Sequence, residues 1–507
     1  MMEKRLVLAI ALSLLILLSW STWISKTQHI DKQVVTHQAP VPITTPTVPR
    51  EFGQSTPAEP IAPSLWKFSQ GKYDLIFSES QAAIKEVVFK SYQDYRFPLK
   101  YGFLAGDANR IFQKENTTSE SVDFVYRGQD QQVTKRFLCR SDYSLELEII
   151  VENLSSQPLS ISPYLILGVL NFTGDPSLTR LQDVTLASNE RIIHPSPRKD
   201  TNIAGVKFLG LRDRYFCAIL EPGTKDSYTG FIKKINPQES EIGLSRTEFQ
   251  LLPGQQTKQS FRIYLGPQEL QQINRINPEW TAVMYYGTFD IIAHLLLQLL
   301  DLLYSWVHNW GVVIVILSLF IYLILFPLTL KQMHSMKKMQ ALQPRIEELR
   351  KAYKDQPQKL NSEIMGLYRE YKVNPFSGCL PLILQIPIFF ALYQVLLRSV
   401  ALKGARFLWI KDLSAPDRLF TLPKALPIIG NEINILPILM TFGMFVQQKT
   451  SMTTASSGSA EQQKLMLIIF PLMFGFIFYH MPSGLVLYWF INSALMLVYQ
   501  LRISRQP

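Results

Sequence analysis

The sequence has few of the residues that build catalytic or metal sites. Its 507 residues include 7 histidines and 3 cysteines, and Cys139, Cys217 and Cys379 lie far apart in the chain. This spacing excludes a zinc-binding pattern and a redox CxxC pair, and GxSxG, HExxH and P-loop patterns are absent. We therefore expect neither an enzyme nor a bound metal or cofactor. A Cys139–Cys217 disulfide stays open if both residues face an oxidising compartment.

Charged residues are also scarce. They make up 18% of the chain, against 47% hydrophobic residues, and the segment 311–330 has no charge at all. That segment is long enough to cross a bilayer as a helix. The formal net charge of +11 fits topology signals and anionic lipid better than nucleic acid, because the cations do not form one basic block with interleaved aromatics.

Apolar runs predict six membrane spans with both termini on one side. The first follows Lys4 and Arg5 and is either a cleaved signal peptide or, as its length favours, a retained signal anchor at 1–27. The others lie at 311–330, 377–397, 433–446, 465–479 and 485–501. We expect the basic N-terminal end in the cytoplasm. The loop at 398–432, on the opposite side, also carries cations. The distribution of positive charge therefore supports this orientation only in part.

A cationic arm at 331–372 separates the second and third spans and predicts a helical hairpin. Apolar residues recur at steps of three and four, at Met339, Leu342, Ile346, Leu349 and Tyr353 and again at Leu360, Ile364, Leu367 and Tyr371. This is the spacing of a coiled-coil seam. Pro357 interrupts the pattern because proline cannot continue a helix, so two antiparallel helices are expected. A solvated loop is the alternative.

Between the anchor and the second span, the pattern is that of short strands. A proline-rich tether is expected at 28–64, followed at 65–275 by runs with period-two alternation, such as 83–89, 145–149 and 203–209. These predict an antiparallel β-sandwich. It carries no recognisable reactive constellation, so we expect a scaffold or docking domain.

The segment 276–309 contains a helix with a polar stripe. Its strongly polar residues fall at steps of three and four, at Asp290, His294, Gln298, Asp301 and Ser305. This places them on one face and predicts an amphipathic helix that lies in the membrane interface. A metal site at Asp290 and His294 is the alternative, but further ligands are missing nearby.

Several ordered motifs at matching separations give the sequence a family resemblance. They are Phe-Pro-Leu-Thr at 326–329, Leu-Gln-Pro at 342–344, Val-Asn-Pro at 373–375, Gly-Cys-Leu-Pro-Leu at 378–382, Gln-Ile-Pro-Ile-Phe at 385–389, Leu-Trp-Ile-Lys-Asp-Leu at 408–413 and Pro-Ser-Gly-Leu-Val-Leu-Tyr-Trp at 482–489. Together they resemble the YidC-type bacterial membrane protein insertases of the Gram-negative long form.

The resemblance implies an α-helical membrane protein with six spans, a five-helix insertase core at 310–502 and an all-β periplasmic sandwich. Both termini, including a tail at 503–507, would lie in the cytoplasm and the protein in the inner membrane. It would be an insertase and folding chaperone that passes nascent transmembrane segments from a cytoplasm-open hydrophilic groove into lipid. Its partners would be nascent membrane proteins, the ribosome, targeting factors, the Sec translocon and anionic lipids, without a direct nucleic-acid site.

Polar residues within the spans are candidates for that groove, because polar groups in hydrocarbon normally face protein or a wet cavity. The candidates are Ser318, Tyr322, Gln385, Gln394 and Thr441. Apolar substrate contacts carried over from the family are Phe389, Met440, Tyr488 and Trp489. Interhelical hydrogen bonding is the alternative role for each polar residue.

One position departs from the family. Typical members have an arginine five residues before the Pro-Leu-Thr motif, and this chain has Tyr322 there. We therefore expect hydration and shape, rather than a fixed cation, to capture substrates. A small-solute transporter is the alternative function, since polar residues in spans can also form a solute site, but the sequence has no evident inverted repeat.

Overall fold

A computed structural model describes residues 64–106, 110–173, 179–223, 227–354, 356–373, 380–426, 430–452 and 460–504. The expected anchor at 1–27 lies outside these residues, as do almost all of the tether at 28–64 and the end of the tail. The motif at 373–375 and the start of the motif at 378–382 are likewise largely outside them.

The segment after the tether forms an all-β domain, as its alternation predicts. Its strands are β1 (Leu65–Gln70), β2 (Tyr73–Ser78), β3 (Ala83–Phe89), β4 (Tyr95–Gly102), β5 (Gln113–Thr117), β6 (Ser121–Arg127), β7 (Gln131–Cys139), β8 (Ser144–Asn153), β9 (Leu159–Ile161), β10 (Tyr164–Asn171), β11 (Asp183–Ser188), β12 (Ile192–Ile193), β13 (Thr201–Ile203), β14 (Val206–Arg212), β15 (Phe216–Pro222), β16 (Thr229–Asn236), β17 (Glu239–Ser245), β18 (Phe249–Leu251) and β19 (Gln256–Pro267). Side chains of β8 alternate strictly between buried and half-buried, because successive residues of a strand face opposite sides.

Three antiparallel sheets and a small two-stranded sheet of β9 and β18 build the domain. The largest has nine strands in the order β12-β11-β14-β15-β19-β8-β7-β6-β5, and two four-stranded sheets have the orders β1-β2-β3-β4 and β10-β17-β16-β13. Phe77 of β2 contacts Phe124 and Phe137 of the large sheet, with ring centroids 5.3 and 5.1 Å apart. The hydrophobic core of the domain therefore lies between packed sheets.

Two details of the sequence prediction are wrong, and one open alternative is decided. The single strand expected at 203–209 is two strands, because Gly205 adopts a positive φ of 65° that breaks the extended run. The loop expected at 401–432 contains a hairpin of β20 (Phe420–Leu426) and β21 (Gly430–Ile433). Cys139 and Cys217 are free and buried; β8 and β19 separate their strands, about 14 Å at ordinary strand spacing, which is too far for a disulfide.

The C-terminal region is helical, as predicted. Its helices are α1 (Leu270–Ile276), α2 (Asp290–Val307), α3 (Trp310–Ala341), α4 (Gln343–Ala352), α5 (Pro357–Glu370), α6 (Leu380–Arg398), α7 (Ile435–Met452), α8 (Ala460–Tyr479) and α9 (Ser483–Ser504), with short 3₁₀ turns at Pro278–Val283 and Val400–Leu402. A further 3₁₀ turn, Lys90–Tyr92, follows β3 in the β domain. Within the described residues, Gly287–Val307, Trp310–Lys331 and Ser483–Arg502 are long and apolar enough to cross a membrane, and Leu384–Arg398 and Leu467–Tyr479 are shorter apolar helices. The count of six spans and the interfacial position of α2 stay predictions.

Helices α4 and α5 form a hairpin at the predicted place, but its first helix is shorter than expected, because 331–341, which includes Met339, continues α3. Ile346 is 1% exposed and belongs to a buried cluster with Leu342, Tyr368 and Val373. The chain turns between Ala352 and Pro357, where proline occupies the first helical position that tolerates it. Burial of this apolar seam holds two short helices together that would be marginal alone.

We expect Ile346→Asp to open the hairpin. It buries a charge without a partner, which costs at least about 2 kcal/mol. Limited proteolysis of the full chain in detergent should then cleave between α4 and α5 faster than in the parent protein. Met365→Asp is the matched control, because Met365 lies on the same hairpin and is 43% exposed. Equal cleavage rates for the two variants would contradict the role of the seam.

Candidate functional site

A cavity of about 270 Å³ opens among helices α3, α6, α7, α8 and α9. Its polar lining consists of Tyr322, Thr329, Gln385, Gln447, Gln448, Tyr488, Asn492 and Ser493, and its apolar lining of Leu325, Met444, Phe470, Trp489 and Met496. The lining residues of α3 lie in the second half of its apolar stretch Trp310–Lys331, and that of α6 lies in its N-terminal half. The cavity therefore lies towards the hairpin end of the bundle. None of these lining residues is charged.

A short hydrogen-bond network organises one wall of the cavity. The Gln385 side-chain amide donates to the Tyr488 hydroxyl, and the Asn492 amide donates to the Tyr488 carbonyl over 2.9 Å. Across from this wall, the Tyr322 hydroxyl is buried and has no hydrogen-bond partner among the described residues. The Gln385–Tyr488 hydrogen bond links α6 to α9, while the hydrogen-bonding capacity of the buried Tyr322 hydroxyl on α3 is unused by the described residues.

Of the nine residues that the sequence predicts for the groove, four line this cavity: Tyr322, Gln385, Tyr488 and Trp489. Phe389 lies beside them, with its ring centroid 5.1 Å from that of Trp489. Met440 is completely buried. Five of the nine predicted residues thus lie at or beside the cavity. Two come from the predicted polar set, Tyr322 and Gln385, and three from the predicted apolar contacts, Phe389, Tyr488 and Trp489.

The remaining three predicted groove residues have local partners elsewhere. Ser318 is buried and donates to the Ile314 carbonyl over 2.7 Å. Thr441 donates to the Pro437 carbonyl over 2.8 Å and lines a separate, largely apolar cavity of about 550 Å³ between α7 and α8. Gln394 accepts from Arg398 Nε at 3.4 Å, near the opposite end of α6. None of the three lines the polar cavity.

The predicted set missed several polar lining residues, above all Gln447 and Gln448. They follow an apolar run that ends at Val446, and the span predicted from that run ends before them. The helical period was the available signal, because positions three and four after Met444 share its face. Asn492 and Ser493 had a weaker signal of the same kind, as polar residues within an apolar run.

Comparison with known proteins places this architecture in a family. The model of the 60Kd inner membrane protein family matches residues 302–507, and the YidC periplasmic domain model matches residues 105–299. Membrane protein insertase YidC of Pelobacter propionicus is 30% identical over an alignment of 559 positions, which covers 99% of each chain. The chain belongs to the YidC family of membrane protein insertases.

Other members of the family match over shorter stretches. YidC of Syntrophobacter fumaroxidans is 36% identical over 74% of this chain and 68% of its own length, and YidC of Cupriavidus necator is 39% identical over 59% and 51%. A crystal structure of an active YidC insertase covers 87% of this chain and 92% of its own, with 20% identity and a TM-score of 0.41. Membership confirms the resemblance that the motifs predict and identifies an insertase rather than an enzyme.

Helices α7 and α8 of this insertase approach closely at a glycine. A Cβ added at Gly475 would lie 2.2 Å from Thr441 Oγ1, a distance that forces a shift. Gly443, on α7, has nothing within 4 Å of the corresponding position. The absence of a side chain at Gly475 therefore sets how near the two helices can pack, as small residues do between membrane helices.

We expect Gly475→Ala to destabilise the helix bundle by about 1–3 kcal/mol, the usual cost of overpacking. The measurement is the thermal unfolding midpoint of the full chain in detergent. Gly443→Ala is the matched control and should be neutral or slightly stabilising, because alanine has the better helix propensity. Equal midpoints for the parent protein and Gly475→Ala would disprove the close contact.

Proposed function

We propose that this insertase moves transmembrane segments of nascent membrane proteins into the inner membrane through the uncharged polar cavity among α3, α6, α7, α8 and α9. The observation that carries the proposal is the lining itself. Eight polar residues line the cavity, and the buried Tyr322 hydroxyl has no hydrogen-bond partner among the described residues. Such a lining favours water or a polar peptide over acyl chains.

The proposed mechanism lowers a desolvation cost. A hydrophilic tail that crosses hydrocarbon loses its hydrogen bonds to water, and each unsatisfied group costs several kcal/mol. Amides and hydroxyls of the cavity replace part of that water. This shortens the distance that the tail has to cross without hydrogen-bonding partners. The apolar segment of the substrate meanwhile partitions sideways into lipid, as apolar segments do spontaneously.

Aromatic residues mark the proposed exit for the apolar segment. Phe389 contacts Trp489 and also Phe478, with its ring centroid 5.9 Å from that of Phe478. Phe474 stacks on Trp489 at 5.6 Å. This cluster adjoins the polar network at Tyr488, so a substrate would meet hydrogen-bonding groups and an apolar surface side by side. Met440 would act through packing rather than by direct contact, since it is buried.

The orientation of the chain forms part of the proposal. Six spans would place both termini, the hairpin and the mouth of the cavity in the cytoplasm, with the β domain in the periplasm. Helix α2 would lie at the periplasmic interface. Its exposed apolar residues, such as Ile291, Leu295 and Trp306, are distinct from its polar stripe, so it can face lipid and headgroups at once.

The wider set of partners follows from this orientation. The cationic arm at 331–372 would meet the ribosome, targeting factors or anionic lipid at the cytoplasmic surface. The Sec translocon would approach through the membrane or the β domain. A solute-transport function has no specific support, because the described lining contains no charged or clustered group that would fix a small solute.

Tyr322→Phe should lower insertion only mildly, by less than about 1 kcal/mol in apparent free energy. The hydroxyl has no hydrogen-bond partner among the described residues, so its loss leaves no described group unsatisfied. Tyr488→Phe is the matched comparison and should be more harmful, because it removes the acceptor of Gln385. Insertion of a single-span substrate into liposomes containing the purified full chain measures both. A severe defect in Tyr322→Phe would contradict a hydration-based groove.

Tyr322→Arg should be tolerated and should favour substrates with acidic tails. If water enters the cavity, it spares the roughly 2.5–3.5 kcal/mol that a cation costs at a helix centre, and the new charge attracts carboxylates. Matched substrates with neutral and acidic tails should then differ more in this variant than in the parent protein. Misfolding of Tyr322→Arg, or an unchanged ratio between the two substrates, would count against the proposal.

A further inference from the structure

The β domain and the membrane core hold each other by arginines that cross their interface in both directions. Arg214 of the β domain donates from Nε to the Leu397 carbonyl over 2.8 Å and from Nη2 to the Ser414 carbonyl over 2.7 Å. Arg398 of α6 donates from Nη1 to the Leu181 carbonyl over 3.1 Å and from Nη2 to Asp183 over 2.8 Å. Leu397 is in the last turn of α6, whose carbonyls lack helical partners, so Arg214 caps this helix.

Two buried arginines at this interface share one partly exposed carboxylate. Arg398 is 7% exposed and Arg212 is 2% exposed, and both reach the same carboxylate oxygen of Asp183, Arg212 over 2.9 Å. Arg212 also donates to the Tyr285 carbonyl. Removing one partner of such a buried group leaves an uncompensated charge, which costs far more than breaking a surface ion pair. The interface is therefore specific in its geometry.

The turn between β14 and β15 is shaped to present these contacts. Asp213 accepts hydrogen bonds from the backbone N–H groups of Tyr215 and Phe216 over 2.8 and 2.7 Å and from the Tyr95 hydroxyl over 2.9 Å. The resulting turn directs Tyr215, whose hydroxyl donates to Ser414 Oγ over 3.1 Å. Arg214 lies within the same turn, so its direction is set by the β domain.

The interface also accounts for cations in the loop at 398–432. Arg398 pairs with Asp183, and Lys403 donates to the Tyr92 carbonyl over 3.1 Å while lying 4.6 Å from the Tyr95 ring centroid. Within the loop itself, Arg418 pairs with Glu432 over 2.8 Å. Three of the six cations of this loop thus have structural partners, which accounts for part of its mixed topology signal.

Helix α6 connects this interface to the cavity. The same helix carries Gln385 and Phe389, and Gln394 Oε1 accepts from Arg398. Gln385 precedes Arg398 by about 20 Å along the axis, so a small change in tilt or rotation at one end moves the other. We infer that Arg214, Arg398 and Asp183 are positioning residues for the cavity, through which the β domain fixes α6 and thereby the contact of Gln385 with Tyr488. This inference rests on the proposed function.

The test measures insertion and cavity geometry in the same full-length protein. Arg398→Gln and Arg214→Gln are reconstituted in liposomes and assayed with a single-span substrate. Spin labels at 386 on α6 and 498 on α9 report the distance across the cavity. We expect insertion to fall about fivefold or more, within the usual range of coupling between sites, and the distance distribution to broaden. Arg398→Lys, which keeps the charge, should recover part of both.

Arg406→Gln is the matched control. Arg406 belongs to the same loop and is exposed, so this variant makes the same change in charge and should leave insertion and distances unchanged. A merely structural role would reduce the yield of folded protein but not alter distances in the folded fraction.

Two outcomes would overturn the inference. One is that Arg214→Gln and folded Arg398→Gln show the same insertion activity and the same spin-label distances as the parent protein. If Arg398→Gln does not fold, the partly exposed Arg214 decides alone. The other is an equal defect in Arg406→Gln, since that would indicate a general charge effect. Failure of the parent protein to insert any substrate would instead refute the proposed function, while the distances would still test the positioning of α6.

Discussion

The cost of taking polar groups away from water is the constraint on which this structure depends. Within the apolar helices, the hydroxyls of Ser318 and Thr441 donate to carbonyls of their own helices. The side-chain amide of Gln385 donates to the Tyr488 hydroxyl. Tyr322, in contrast, lines the cavity, and its buried hydroxyl has no hydrogen-bond partner among the described residues. Because hydrocarbon offers no hydrogen bonds, such a residue marks where polar contents are expected, and this separates the groove from ordinary helix packing.

The same constraint operates at the interface between the β domain and the membrane core. Arg212 and Arg398 are buried there, and their donors reach Asp183 and backbone carbonyls. Removing one partner of such a pair is strongly destabilising, because it leaves a buried charge without compensation. Helix α6 runs from this charged end to the uncharged cavity. A domain without a recognisable reactive site thus acquires a role through the helix that it holds.

Local periodicity explains which sequence predictions agree with the structure. The alternation at 83–89 and the seam around Ile346 were readable because neighbouring residues in the chain share one face of one element. The prediction at 203–209 failed because a single positive φ at Gly205 outweighed the run of apolar residues. The hairpin of β20 and β21 was missed because short strands in a mixed-composition loop have no clear period.

The sequence by itself determined the family, the all-β and helical regions and the absence of charge from the segment that contains Tyr322. It did not determine which polar residues share a cavity. Gln394 and Thr441 point to other partners, whereas Gln447 and Gln448 join the lining, because the rotation and tilt of each helix depend on packing against distant elements. The pairing of Arg398 with Asp183 is likewise a tertiary fact: 215 positions separate the two residues, and no local pattern records their contact.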